Sequence, residues 1–124
     1  MLSQIKVVNT RKAIESLYTG RCSITEYKKI KKQNGSTGFQ ETMVIEHQPC
    51  RISFKTITSA KEGAMNQSIT QVIKLFIAPE IAVKTGSKIT VTQNDVTTEY
   101  KSSGQPAMYA THQEIILELF DGWS

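Results

Sequence analysis

Two stretches decide the fold: Gln71–Pro79 (QVIKLFIAP) and His112–Trp123 (HQEIILELFDGW). Both are apolar, rich in β-branched residues and bounded by turn formers, which predicts two central strands. In the first, Ile73, Leu75 and Ile77 share one face, and Val72, Lys74 and Phe76 share the other. In the second, Ile115, Leu117 and Leu119 oppose Ile116, Glu118 and Phe120. One face of each is cleanly apolar and the other is mixed. A strand packed on a core on one side and meeting solvent or a neighbouring subunit on the other has this pattern.

Working outward, the chain of 124 residues fits a single domain, residues 1–124. That size buries one core without disulfide or metal staples. Upstream, residues 1–8 read as an arm that starts a strand or stays mobile. Asn9 or Thr10 caps a short helix reaching Tyr18, with Ala13, Ile14 and Leu17 on one face and Gly20 as its C-terminal stop. The arm and helix occupy about residues 1–20. The helix plugs an open end of the sheet or reaches a neighbouring subunit, and the sequence leaves both open.

Arg21–Lys31 (RCSITEYKKIK) alternates, with Cys22, Ile24, Tyr27 and Ile30 inward and Thr25, Glu26 and the lysines outward. Asn34-Gly35 signals a hairpin, and Phe39–Glu46 returns. Pro49 breaks the run, and Arg51–Ile57 starts a new strand. Thr58–Ser68 (TSAKEGAMNQS) is small and polar, which predicts an inter-strand loop of about 11 residues. A loop that long in a compact domain is a surface excursion or an extension ordered by a partner. Further on, Ser87–Gln93, the Asn94-Asp95 turn and Val96–Lys101 make a second hairpin, Ser102–Pro106 (SSGQP) is a loop, and Trp123 is a core lid or a partner anchor. About six or seven strands result: mainly β, a small antiparallel barrel or sandwich with one short N-terminal helix.

The net charge is +4 and the pI ≈ 9.1, with basic runs at Arg11–Lys12 and Lys28–Lys32. This balance is too mild to establish nucleic-acid binding. No run approaches the ~18 apolar residues of a membrane span. The start MLSQIKVVNTRK lacks a signal-peptide core, which predicts cytosolic synthesis. Cys22 and Cys50 are expected to be reduced, partly buried thiols. His47 and Cys50 make an H-x-x-C pair that Cys22 and His112 would have to complete for zinc, and that spacing is not that of a knuckle. The sequence carries no nucleophile elbow, phosphate-binding loop or dinucleotide fingerprint. The expectation is therefore a non-enzyme with no cofactor and no metal. A free-standing OB-like nucleic-acid binder would need aromatics interleaved with basics on one sheet face, and Tyr27 with Lys28, Lys29 and Lys31 is the only local candidate.

Thr19-Gly20-Arg21-Cys22, Gln48-Pro49-Cys50-Arg51, Lys74–Glu80 (KLFIAPE), Ile81–Thr90 (IAVKTGSKIT), Tyr100–Gly104 (YKSSG) and the closing Thr111–Trp123 carry a resemblance. Together they resemble the head-closure, or head–tail connector "stopper", proteins of tailed bacteriophages and prophages of Gram-positive bacteria. The resemblance runs over most of the chain and rests on scaffold and turn signatures. It implies a β-barrel subunit made in the host cytoplasm and assembled in the virion neck. There it would form a homo-oligomeric ring of six or twelve copies below the portal and its adaptor, continue the channel for double-stranded DNA, retain packaged DNA and dock the tail. It makes the long loop the channel gate or inter-subunit strap, with Lys55, Thr58, Ser59, Lys61, Glu62, Gly63, Met65, Asn66 and Gln67 as its candidate residues. It makes Arg11, Lys12, Ile14, Leu17, Asp121 and Trp123 candidates for contacts between rings. A tail terminator or tail-tube ring of the same machine is the competing assignment.

Overall fold

A computed structural model describes residues 4–60 and 67–123. Its elements in order are α1 (Gln4–Glu15), β1 (Gly20–Lys31), β2 (Thr37–Ala60), β3 (Gln67–Ile77), β4 (Lys88–Gln93), β5 (Val96–Met108) and β6 (Gln113–Leu119). The six strands form one antiparallel sheet in the order β1-β2-β3-β6-β5-β4, which closes on itself. Arg21↔Thr92 through Thr25↔Lys88 make the closing seam between β1 and β4. Closure removes most of the exposed edge that an open sheet would offer.

The core follows from period-two alternation. Cys22 and Ile24 of β1, Cys50 and Ile52 of β2, Leu75 and Ile77 of β3, Ile89 and Val91 of β4, Tyr100 of β5, and Ile115 and Leu117 of β6 meet inside. The inward faces expected for the two central strands are therefore the ones that pack. Leu119 keeps the inward parity but lies past the core and is 64% exposed.

The strand expected from Arg51 is not separate. β2 is continuous through Pro49 and, at 24 residues, is twice as long as β1. Its first half pairs with β1, as far as Cys50, and its second half pairs with β3, starting at Cys50. Pro49 sits at that handover, before the β3 ladder begins, where a residue without an N–H leaves no β3 partner unmet. His47 has a positive φ of 55° beside it. The β1–β2 register shifts between Cys22 and Ile24 and again between Ile24 and Thr25. Such bulges bend a strand and let it turn from one neighbour to the next. The extra residues fall in β2, so β1 keeps its own alternation: Tyr27, expected inward, stands on the outward parity set by Cys22 and Ile24, and Thr25 is buried although it shares that parity.

Two further expectations fail for similar reasons. Ser102–Pro106 is not a loop but part of β5, where the β5–β6 register jumps between Ser103 and Ala107. Gly104 supplies the positive φ of 72° there, and Pro106 falls among residues that have no cross-strand partner. The helix begins at Gln4, so Asn9 and Thr10 lie inside it and cap nothing. It ends in a tightened turn, with Leu17 N–H donating to Ile14 and Tyr18 N–H to Glu15, both at 3.0 Å. Gly20 is the first residue of β1. A Cβ there would stand 3.1 Å from Gln93 Oε1 and 3.2–3.3 Å from the carbonyls of Cys50 and Thr92. Glycine thus fits a close approach of three strands here and is not a helix stop.

Three side chains tie the irregular parts down. Gln93 Oε1 accepts from Ile52 N–H at 2.9 Å, and its Nε2 donates to Ile52 O at 3.2 Å, so an amide side chain stands in for strand pairing between β4 and β2. Gln113 is 1% exposed and donates to Ala78 O at 2.9 Å and Ile81 O at 2.6 Å. Ser102 Oγ donates to Lys84 O at 2.8 Å. Residues 78–87 are thereby fastened over the core without regular structure.

Candidate functional site

The candidate gate maps onto a β ribbon. Thr58 pairs with Ile69, Ser59 with Ser68 and Ala60 with Gln67. Thr58, Ser59, Gln67 and Ser68 are therefore strand residues, which corrects the expected loop 58–68. Thr56, Thr58 and Thr70, with Ile57 and Ile69, are β-branched residues that suit a strand. Lys61, Glu62, Gly63, Met65 and Asn66 lie outside the described residues. β3 pairs with β6 only at Ile73–Ile77, so residues 67–72 pair with β2 alone. The ribbon 55–60/67–72 consequently runs past the closed sheet. Lys55, Ile57 and Ile69 are exposed on it, Ile69 at 74%. A second ribbon, 26–31/37–42, runs past the opposite end, because β4 leaves β1 at Thr25.

The candidates for ring contacts fall into two separate places. The helix α1 buries no residue and so does not plug the sheet. Arg11 pairs with Glu80 and, at 3.4 Å, with Glu15, and these carboxylates hold its guanidinium above its ordinary pKa. Lys12 is exposed. Ile14 and Leu17 line a small cleft of about 180 Å³ with Tyr18, Arg51, Phe76 and His112. Tyr18 is 7% exposed, and its hydroxyl has no hydrogen-bond partner among the described residues. Burial pushes its pKa up to about 12.

Beside this cleft Arg51, Phe76, His112 and Tyr109 form a column. The guanidinium lies 5.9 Å from the Phe76 ring centre, Phe76 lies 5.9 Å from His112, and His112 stacks on Tyr109 at 4.8 Å. His112 Nδ1 meets Thr111 Oγ1 at 2.9 Å, and its Nε2 meets Glu114 Oε2 at 2.9 Å. Hydroxyl, imidazole and carboxylate stand in the order of an acyl-transfer relay. However, Thr111 is 8% exposed and Lys74 takes the same carboxylate at 3.1 Å. A nucleophile must be reachable by its substrate, and the Thr111 hydroxyl is buried. This chain of contacts instead orients the ring column. The bonds from His112 and from Lys74 hold Glu114 below the usual carboxylate range.

Asp121 and Trp123 lie elsewhere. Asp121 meets Lys101 at 3.4 Å. Trp123 is not a core lid: it lies on the outside, stacked on Tyr27 at 4.9 Å and 6°. Tyr27 also stacks on Phe39 at 5.2 Å, and Phe120 meets Trp123 edge-on at 5.1 Å. The indole N–H donates to Glu41 Oε1 at 2.8 Å. Lys88 reaches the same oxygen at 3.0 Å and lies 5.1 Å from the Phe120 ring centre. The indole bond and Lys88 hold Glu41 below its ordinary range. Sequence reasoning missed Phe39, Phe120, Glu41 and Lys88. No local signal marks them, because the cluster joins β1, β2, β4 and the C-terminal tail.

The two cysteines are free, both buried, and face one another in the core. Hydrogen bonding to Cys50 and burial push the Cys22 thiol far up, so it stays protonated. Among the described residues no group of three His, Cys, Asp or Glu side chains is placed to hold a metal ion, and His47 lies exposed on the outside of β2. No helix among the described residues is long and apolar enough to cross a membrane.

No protein-family model and no curated protein sequence matches the chain. Among solved structures, the chain is similar to the phage-like element PBSX protein xkdH from Bacillus subtilis. The two share 12% sequence identity with a TM-score of 0.47, over 80% of this chain and 91% of that one.

Proposed function

We propose that this chain is a non-catalytic structural subunit of the head–tail interface of a tailed phage or prophage, acting in head closure. Copies made in the host cytoplasm assemble as a ring under the portal and adaptor. The ring continues the DNA channel, retains the packaged DNA and offers the tail its docking surface. The signatures at Gln48–Arg51, Lys74–Thr90 and Thr111–Trp123 support this reading.

One structural observation carries it: the closed sheet completes its own core, yet β2 runs past both ends of it as two-stranded ribbons. Isolated ribbons are marginal in water. Their free edges are positions for strand addition by a neighbour. The helix α1, with Ile5 74% and Val8 50% exposed, is a third element that the subunit itself does not cover. Head-to-tail contacts between such elements close into a ring when the rotation between subunits closes.

The test is native mass spectrometry of the purified chain, alone and mixed with the portal–adaptor complex expected from neighbouring genes. A chain that adds to that complex as a closed ring supports head closure. A ring that joins tail tubes and ignores the portal complex would mark it as a tail terminator. A chain that joins neither is not a neck protein.

A further inference from the structure

The ribbon 26–31/37–42 gathers rings and lysines on one surface. Cross-strand partners share a face, so the register Tyr27↔Glu41, Lys29↔Phe39 and Lys31↔Thr37 puts Tyr27, Lys29, Lys31 and Phe39 on the same side. Lys29 stands directly opposite Phe39, and Tyr27 stacks on Phe39. Trp123 covers the other side of Tyr27, which makes Phe39 the open end of a three-ring stack, 59% exposed. Tyr27, Phe39 and Trp123 also line a cleft of about 330 Å³ with Lys28 and Lys84.

The charge on this surface has one sign to spare. Glu26 is shared by Lys28 and Lys84 at 3.7 Å each, and Glu41 is taken by Lys88 and the indole. Lys29, Lys31 and Lys32 are exposed and make no ion pair among the described residues. Exposed ring faces beside unpaired lysines are the two components of a platform for unpaired bases: the rings stack on bases, and the lysines follow the phosphates. Duplex DNA hides its base faces and would leave Phe39 idle. A protein partner seeking the rings would have to cover the unpaired lysines.

We propose that this ribbon, with the C-terminal Trp123, is a binding surface for single-stranded nucleic acid, Phe39 stacking on a base while Lys29 and Lys31 meet the flanking phosphates. The site belongs to one subunit and stands whether or not the chain builds a ring.

Trp123 is the chain's one tryptophan, so its fluorescence reports on this site alone. The experiment titrates the intact chain at low salt with a 12-nucleotide oligothymidylate, with a duplex of equal length and with polyglutamate. The oligothymidylate is expected to quench Trp123 and to bind at least tenfold tighter than either control. Phe39→Ala is expected to weaken it at least fivefold, within the range of one stacked base, with unchanged circular dichroism and melting. The double variant Lys29→Gln/Lys31→Gln, which keeps every ring, should flatten the slope of log K against log salt by about 1.4, the value for two phosphates on a single strand. Equal binding of duplex or polyglutamate, an unquenched Trp123, or indifference to both variants overturns the proposal.

Discussion

Gln113 shows how much one polar side chain decides in this molecule. It lies among apolar residues, yet its amide hydrogens go to the carbonyls of Ala78 and Ile81. Replacing it with leucine keeps the volume and removes both donors, leaving carbonyls that a loop folded over the core cannot easily return to water. Gln113→Leu should therefore lower the unfolding free energy by roughly 2 kcal/mol, as measured by urea denaturation, and hydrogen exchange should quicken first in residues 78–87. The sequence shows His112-Gln113 only as the polar entry to an apolar strand. The alternation places Gln113 on the inward side with Ile115 and Leu117, but its partners lie more than thirty residues away and leave no local trace. Glu41 is the complementary case, a surface residue with two donors. Its carboxyl is held low, first by the Trp123 indole and then by Lys88. A carboxylate depressed in the folded state contributes its stabilisation above its unfolded pKa and loses it as pH falls through the lower folded value. Trp123 emission should thus stay constant down to the ordinary glutamate range and change only below it. In Glu41→Gln that acid transition should be absent.

At the scale of elements, alternation was readable wherever a strand keeps one register and one face. Ile73, Leu75 and Ile77 with Ile115 and Leu117 satisfy both conditions, and both stretches lie in the middle of the closed sheet. The pattern misleads at bulges, since a shift of one residue exchanges the faces. In the β1–β2 pair, however, the extra residues lie on β2, so β1 alternates unbroken and it is the apolar ring of Tyr27 that misleads. Tyr27 stands outward with the odd residues, and with it goes the platform that Phe39 and Trp123 complete. Pro49 and the SSGQP stretch misled for a related reason. Proline and glycine announce an end of the strand, but Pro49 keeps its place opposite Arg21 in β2, and in β5 only the pairing lapses between Ser103 and Ala107 while the strand continues. The helix was misjudged because Asn9 and Thr10 are good caps with nothing to cap; no proline or glycine in residues 4–12 stops the turns that precede them. The candidate contact residues were legible only as exposed, chemically able side chains. That Ile14 and Leu17 lie beside Arg51 and Phe76, while Trp123 lies with Tyr27, is a matter of tertiary placement that spacing along the chain does not encode.

At the scale of the whole molecule, the closed sheet and its projections are energetically separable. Among the described residues, the eleven of the core cluster lie within the closed region, and none of them is in the ribbon 55–60/67–72. Shortening that hairpin removes none of these core residues and costs the body only the partial apolar cover that Ile57 gives beside Val72, Phe76 and Ile116. Replacing residues 57–70 by an Asn-Gly turn joins Thr56 to Gln71, which pair directly, and supplies the dipeptide that a two-residue hairpin prefers. The trimmed chain should fold as the parent does, with a melting temperature within a few degrees, since surface changes away from the core usually stay within about 0.5 kcal/mol. In phage assembled with it, heads should fill but leak DNA or fail to join tails, scored by electron microscopy of the particles and by plaque count. Fully infectious particles from a well-folded trimmed chain would remove the hairpin from the gate or strap role and leave the helix α1 and the C-terminal tail to account for assembly. A trimmed chain that fails to fold would instead show that the ribbon supports the sheet, against the separation that the core argues for.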